Sequence, residues 1–278
     1  MGFGCNAVGV VGCRIIDSKR ERMIAMLTNA FVPCNGRFPT LVALISLFFV
    51  AASGFWGSLG SAFALTGVIA LSVFMTFLAS WLLSRTLLRG EPSSFTLELP
   101  PYRSPEVGKV IVRSVLDRTL FVLGRAVAVA APAGLILWLL ANLKVGDIAL
   151  LQAVSDFLDP VGGFFGVDGV ILLALFLALP ANEIFLPIAL MAYVAGGSLV
   201  EYSGLWELKE ILLANGWTIK TAICVVILVL FHFPCSTTLM TIRKETGKTR
   251  WMILAALLPL AFGLALCAAV SLCFSVFS

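Results

Sequence analysis

The stretch LVLFHFPCSTTLMTIRKETGK, residues 228–248, decides the fold, because it interrupts an apolar run that is long enough to enter a bilayer. The interruption holds the only histidine of the chain, His232, followed by Pro234 and Cys235. A proline lacks a backbone donor and clashes with the preceding helical turn, so carbonyl groups near residue 230 should lose their helical partners. Packing alone gives no reason for this combination of residues. A polar passage through a membrane does.

The composition excludes a soluble globular domain. Of the 278 residues, 60% are hydrophobic and 12% are charged, and the mean hydropathy is +1.05. The charged residues cluster between apolar stretches, which predicts an all-α polytopic membrane protein with about five to six membrane segments, including broken or re-entrant helices. The sequence contains no phosphate loop, nucleophile elbow or HExxH motif, so we expect no enzyme activity. Seven cysteines without a CxxC pair indicate free thiols.

Loop charges predict how the segments are arranged. Lys and Arg concentrate in cytoplasmic loops, which places residues 14–37, 85–118 and 240–250 on the inner side. An amphipathic helix is expected to begin near Val107, and Gly57 and Gly60 are expected in a turn between the first two spans. The predicted apolar spans are 40–57, 61–84, 119–143, 169–196, 217–242 and 251–277.

The span 169–196 conflicts with these charges if it crosses completely, because the four cations of the loop 240–250 would then lie outside. Every loop charge agrees if the segment enters and returns on one side, turning between Pro180 and Glu183. Such re-entrant segments occur in membrane proteins where they line an internal cavity. A complete, tilted crossing is the alternative.

Glu183, within LPANEIFLP (179–187), is the only acidic residue inside an apolar segment. An ionised side chain at the bilayer centre costs about 2.5–3.5 kcal/mol on insertion scales. Because the charge coincides with a helix break and with Asn182, a role in contact with a cation, a proton or water is favoured. A protonated carboxyl group bonded to a neighbouring helix is the structural alternative.

Cys235 is followed by three hydroxyl side chains, Ser236, Thr237 and Thr238, at the predicted break. Thiolates suit iron, copper and zinc, whereas hydroxyl and carbonyl oxygens suit harder ions. A free cysteine is equally often a small buried hydrophobic residue. His232 shares a helical face with Cys235 at a spacing of three residues, but a packed and hydrogen-bonded ring is the favoured interpretation.

Two further stretches, GFGCNAVG (2–9) and FVPCNGRFP (31–39), each carry a thiol and an amide in irregular backbone. They supply Cys5 with Asn6 and Cys34 with Asn35. Turns at the membrane interface would have the same composition. The other four cysteines lie in plain apolar or helical contexts and are expected to pack: Cys13, Cys224, Cys267 and Cys273.

These motifs, together with GEPSSFTLELPPYR (90–103) and PCSTTLMTIRKETG (234–247), resemble the C-terminal half of the membrane domain of the ferrous iron transport protein B (FeoB) family. The resemblance implies a Gate-type, nucleoside-transporter-like fold and Fe(II) uptake across the bacterial inner membrane. It also implies an iron path along Cys5, Cys34, Glu183 and Cys235. Supporting residues would be Asn6, Asn35, Asn182, Ser236, Thr237, Thr238 and His232.

The resemblance further implies three parts and a set of partners. Residues 1–38 would form a cytoplasmic-side cysteine motif with an amphipathic helix, 39–118 a helical hairpin with a cytoplasmic segment, and 119–278 the second Gate repeat. Fe(II) would be the transported substrate, with no permanently bound cofactor and with GTP acting only through a separate G domain. The expected partners are a G-domain half, a small FeoA-like protein, the bilayer and further copies in an oligomer, but no nucleic acid.

Two other functions fit the residues. A Gate-repeat carrier could take a nucleoside or another organic solute, although cysteines at the breaks favour a metal over such a solute. An inactive remnant of a split transporter would have the same sequence without a function.

Overall fold

The computed structural model describes residues 2–49, 55–88, 121–145, 148–194 and 205–277, together with residues 90, 108 and 112. These parts are almost entirely helical, apart from the two-residue antiparallel strands β1 (Lys144–Val145) and β2 (Ile148–Ala149). The helices are α1 (Asn6–Gly12), α2 (Lys19–Thr28), α3 (Phe38–Phe48), α4 (Phe55–Arg85), α5 (Phe121–Asn142), α6 (Leu150–Phe164), α7 (Gly169–Leu177), α8 (Phe185–Tyr193), α9 (Leu205–Ala214), α10 (Ile219–Phe231), α11 (Ser236–Thr246) and α12 (Thr249–Phe277).

Three stretches of the described chain are long and apolar enough to cross a membrane, or four if the bent pair α6–α7 counts as one crossing. The predicted all-helical membrane fold with broken segments is therefore confirmed. The described crossings are fewer than the five to six predicted segments because several predicted spans are half-length helices. For example, α3 has 11 residues and rises about 16 Å, against a hydrocarbon core of about 30 Å. The three stretches are Trp56–Arg85, Ile219–Thr246 and Thr249–Val276.

The turn predicted at Gly57 and Gly60 is wrong. Both glycines lie inside α4, where the Ser61 hydroxyl donates to the Gly57 carbonyl over 3.1 Å. Glycine is tolerated in apolar membrane helices and need not mark a turn there. The predicted span 40–57 correspondingly ends at Phe48. The amphipathic helix expected from Val107 lies outside the described residues.

The break within residues 217–242 is confirmed. Helix α10 ends at Phe231 and α11 begins at Ser236. Pro234 has no N–H group to bond the Leu230 carbonyl, and its ring would clash with that carbonyl in a continuous helix. At its other end α11 stops at Gly247, whose φ of +67° favours glycine.

The described part of the segment 169–196 folds back on itself, as the loop charges predicted. Asp168, which caps the start of α7, accepts a hydrogen bond from the Tyr193 hydroxyl at the end of α8. Trp217, just before α10, donates to the same hydroxyl over 2.8 Å. The two ends of the segment therefore meet, with a helix interruption between Leu177 and Phe185 at its far end. A second sharp bend, of 108°, separates α6 from α7.

Close backbone contact between α6 and α7 depends on Gly169. A Cβ atom there would lie 1.9 Å from the Ser155 carbonyl oxygen, so Gly169→Ala must push the helices apart. We expect a loss of about 3 kcal/mol or more in the free energy of unfolding, measured as a lower thermal midpoint in detergent. Gly163→Ala is the matched control, because nothing lies within 4 Å of its Cβ position. Equal midpoints for the two variants would contradict this packing.

Two long-range contacts assign the short helices to the two halves of the broken α10–α11 span. The Phe48 ring at the end of α3 stacks on Trp217 with centroids 5.9 Å apart, so α3 lies beside α10. Arg14, after α1, donates to Glu245 near the end of α11 over 2.8 and 2.6 Å, and this contact raises the pKa of Arg14. Helix α1 therefore lies beside α11. Four helices begin close together, between the two halves of the broken span: α1, α3, α8 and α11.

Candidate ion-path site at the helix breaks

Four interruptions of helical structure converge between the two halves, and we call them together the break cluster. They are residues 2–5, 32–37, 178–184 and 232–235. The backbone N–H of Asn35 donates to the Gly4 carbonyl over 3.2 Å, which joins the first interruption to the second. Asn182 lies 3.9 Å from the Cys34 sulfur, which joins the second to the third. The sequence predicted irregular backbone at each stretch, although residues 6–9 of the first motif are helical in α1, and the tertiary structure brings the four breaks together.

The third and fourth interruptions are joined by backbone and side-chain contacts. The Ser236 amide donates to the Leu179 carbonyl over 2.8 Å. The ring of His232 lies 3.2 Å from the Asn182 amide through Nε2 and 2.9 Å from the Val229 carbonyl through Nδ1. His232 is 0% exposed, so it corresponds to the packed, hydrogen-bonded interpretation of the sequence.

The contacts of His232 determine how the Asn182 amide is oriented. The Val229 carbonyl can only accept, so Nδ1 must carry the ring proton, and a neutral ring then accepts at Nε2. A neutral His232 ring therefore requires the NH₂ group of Asn182 at Nε2, which leaves the amide oxygen toward Cys34. In this arrangement the Cys34 thiol donates to Asn182, and His232 fixes that amide.

Arg37 is fully buried at the centre of the break cluster, with 0% exposure. One guanidinium nitrogen, Nη1, donates to the carbonyl groups of Ala30 and Leu230 over 3.1 and 2.9 Å. The other, Nη2, donates to those of His232 and Phe233 over 3.0 and 3.3 Å. Three of these four carbonyls belong to the break around Pro234.

Arg37 ends the cationic segment 14–37 that the loop charges place on the inner side, yet its side chain is buried. The carbonyl groups near residue 230 that the proline break leaves without helical partners are bonded to its guanidinium. Buried carbonyls without donors are costly, and the guanidinium is a fork of five donors. A signal was present in the sequence: Arg37 is the only charged residue between Arg22 and Arg85.

Cys235 caps the start of α11 and is partly exposed, with its sulfur 3.3 Å from the Thr238 hydroxyl. Thr238 is buried, whereas Thr237 is half-buried and bonds through its carbonyl to Thr241 over 2.7 Å. The Arg37 backbone N–H donates to the Cys34 carbonyl over 2.9 Å, and its Nη2 donates to the carbonyl of Phe233, two residues before Cys235. Arg37 thus contacts the backbone of both cysteine motifs.

Glu183, Cys5 and Asn35 are exposed at the edge of the cluster. The Glu183 carboxylate lies 3.5 Å from the position that a Cβ atom on Gly36 would occupy, so it sits over the loop that carries Cys34. Within the described residues, no three His, Cys, Asp or Glu side chains converge as a metal-binding group. Any ion held here would take few protein ligands from this chain.

Buried polar atoms without hydrogen-bond partners are concentrated in the break cluster. In the described part of the chain they are Asn6 Nδ2 and Oδ1, Arg37 Nε and Ser236 Oγ. Folded proteins leave few such atoms, since each costs about 1–3 kcal/mol. All four lie in or directly beside the interruptions.

The remaining cysteines lie away from the break cluster. Burial raises the pKa of the Cys13 thiol, which donates to the Gly9 carbonyl over 3.3 Å. Cys224 and Cys267 are fully buried, as predicted. Cys273 is exposed near the end of α12, so the prediction that it packs is wrong for this chain.

A cavity of about 290 Å³ lies at the other end of the α10 half, far along the helix from Cys235. It adjoins Asp168 and Trp217, which belong to the contacts that close the re-entrant segment. Its remaining lining residues are Gly166, Val167, Asn215, Gly216, Thr218, Lys220 and Thr221.

Two family models match the chain. The family described as "Ferrous iron transport protein B C terminus" matches residues 65–117, and the Gate family, described as "Nucleoside recognition", matches residues 123–249. Over these two ranges the chain is similar to the ferrous iron transport protein B family. It corresponds to the C-terminal membrane part of FeoB, and the Gate match covers the breaks at 178–184 and 232–235.

Curated FeoB relatives extend over nearly the whole chain. The "Fe(2+) transporter FeoB" of Staphylococcus aureus (strain MSSA476) is 27% identical over 271 residues, covering 94% of this chain and 38% of the relative. That of Leptospira interrogans (strain Fiocruz L1-130) is 24% identical over 89% of this chain. A Porphyromonas gingivalis relative is named as an Fe(2+) transport protein A/Fe(2+) transporter FeoB fusion protein, and is 23% identical over 91%.

The chain spans 38% of the length of the first two of these relatives. No solved structure matches it.

Proposed function

We propose that this chain is part of a permease for ferrous iron in the bacterial inner membrane and that the ion passes through the break cluster. The observation that carries the proposal is the concentration of unpaired buried polar atoms at Asn6, Arg37 and Ser236, in the same cluster of helix breaks as Cys34 and Cys235. The similarity to proteins named Fe(2+) transporters supplies the ion.

The side chains at the cluster suit transient binding of Fe(II). This ion accepts thiolate sulfur as well as harder oxygen ligands, which Cys34, Cys235, Thr238 and Glu183 offer. A permeation site must bind an ion well enough to replace water and weakly enough to release it. A site with two thiols and scattered oxygens meets both requirements better than a closed four-thiolate site. Cys5, at the edge, would act in delivery or release.

Partners follow from the relatives and belong to the same proposal. Because the relatives are much longer, we propose that a G-domain half works with this chain and that GTP acts only through it. A FeoA-like protein is proposed as a second partner, since one relative is named as a fusion of the two. We also propose an oligomer, no resident cofactor and no nucleic-acid partner.

Radioactive iron uptake tests the proposal. The chain is co-expressed with a FeoB G-domain half in cells that lack other ferrous uptake systems. We expect Cys235→Ser and Glu183→Gln to lower Fe(II) uptake at least about tenfold, because each removes a ligand that the substituted side chain cannot replace. Cys273→Ser is the matched control and should leave uptake unchanged, since Cys273 lies near the exposed end of α12.

The same cells distinguish the second candidate, a carrier for a nucleoside or related solute, which the "Nucleoside recognition" match favours. Uptake of a labelled nucleoside that Asn182→Ala abolishes, with iron uptake absent, would establish that carrier. Iron uptake that all site variants leave intact would end the assignment of the path.

A further inference from the structure

Arg37 brings a permanent positive charge into the break cluster. Its guanidinium does not deprotonate in proteins. In the part of the chain that the structure describes, no carboxylate forms an ion pair with it. Its hydrogen bonds go to four carbonyl oxygens, which stabilise the charge but do not cancel it. The charge lies between the motifs of Cys34 and Cys235, because the Arg37 backbone N–H donates to the Cys34 carbonyl and its guanidinium donates to the carbonyl of Phe233, two residues before Cys235.

Helix ends add to the positive potential. Helices α3, α8 and α11 have 11, 9 and 11 residues, and all three begin at the cluster. A helix carries about half a positive elementary charge at its N-terminus. Two helices, α7 and α10, present their negative C-terminal ends to the cluster, and that of α10 is already engaged by Arg37 through the Leu230 carbonyl. A cation at the thiols therefore meets repulsion from Arg37 and from these helix starts.

Cations differ in how far they can offset this repulsion. Bonds to sulfur are strong for Fe(II) and Zn(II), whereas Mg²⁺ and Ca²⁺ prefer oxygen ligands and gain little from thiolates. We propose that Arg37 is a specificity-determining residue of the path, whose fixed charge excludes cations that do not bond strongly to sulfur. This inference rests on the proposed function of the break cluster.

Competition for binding by the purified full chain tests the inference. Anaerobic Fe²⁺ binding is measured in lipid nanodiscs while Mg²⁺ or Ca²⁺ is added in excess. Wild type and Arg37→Lys, which keeps the charge, should resist competition. Arg37→Gln keeps two amide donors but loses the charge, so Mg²⁺ should compete at a concentration lower by at least about tenfold. Circular dichroism and elution as a single species identify the folded protein used.

The outcomes separate this inference from the proposed function. A wild-type chain that binds no Fe²⁺ counts against the iron site itself. Fe²⁺ binding with equal Mg²⁺ competition in wild type and Arg37→Gln overturns the selectivity role alone. The selectivity role is also overturned if Arg37→Lys loses the preference for Fe²⁺ over Mg²⁺ as Arg37→Gln does. The geometry of the guanidinium, and not its charge, would then cause the preference.

A second variant keeps the test decisive if Arg37→Gln does not fold. Asn35→Asp adds a negative charge beside Cys34 at an exposed position and leaves the hydrogen bonds of Arg37 in place. It should increase Mg²⁺ competition by at least about tenfold by offsetting the guanidinium charge, while the neutral control Asn35→Gln should not. Equal competition in both Asn35 variants would overturn the inference.

Discussion

Replacing both Cys34 and Cys235 by serine is expected to reduce Fe²⁺ affinity of the purified chain by at least about 100-fold. Serine has nearly the size and shape of cysteine. Its hydroxyl group carries no negative charge and therefore binds iron weakly. Both cysteines lie in loops that Arg37 contacts, so their loss also removes the ligands able to offset its repulsion. Affinity is measured anaerobically by competition with a colorimetric ferrous chelator.

The matched control is the double variant of Cys13 and Cys273, also to serine. Both residues lie outside the break cluster, one bonded to Gly9 and the other exposed near the end of α12. Their replacement should leave Fe²⁺ affinity within about twofold of wild type. Equal affinity losses in the two double variants would show that iron binding does not depend on the cluster.

Arg37→Ala is expected to cause the largest loss of stability, about 3–5 kcal/mol in the free energy of unfolding. The substitution removes the donors to four carbonyl oxygens and leaves a cavity where a fully buried side chain stood. The Pro234 break has no backbone donor that could take over the bond to Leu230. Thermal unfolding in detergent would report the change.

Arg243→Ala provides the comparison for this stability effect. Arg243 is exposed in the last turn of α11, where a cation contributes about 0.3–1 kcal/mol through the helix dipole. A midpoint for Arg37→Ala no lower than that for Arg243→Ala would refute the bracing role of the buried guanidinium.

Sequence reasoning located the helix breaks better than the turns. Pro234 ends α10, yet Pro132, Pro160 and Pro259 lie inside helices. Proline alone therefore does not define a break. The combination of proline with polar and thiol side chains does, because those side chains form contacts that an uninterrupted apolar helix would not provide. Gly57 misled the prediction since glycine inside a membrane helix costs little.

Part of the candidate site could be predicted from the same patterns. The motif cysteines, Asn182 and Glu183 were singled out as residues of an irregular, polar backbone, and the structure places them in or beside one cluster. Their roles in ion passage stay predictions. The loop charges do not predict the buried position of Arg37. A total of Lys and Arg per loop does not show that one arginine stands alone in apolar surroundings.

The amino-acid sequence by itself determined that this chain is a helical membrane protein and where its helices stop. Those properties depend on hydropathy and on the local chemistry of proline, which act over a few residues. Only the tertiary structure decided that Arg37 bonds carbonyls nearly 200 residues away, at Leu230, His232 and Phe233, and that Asn182 lies between Cys34 and His232. Partner choice at such separation depends on how whole helices pack, and no local pattern encodes it.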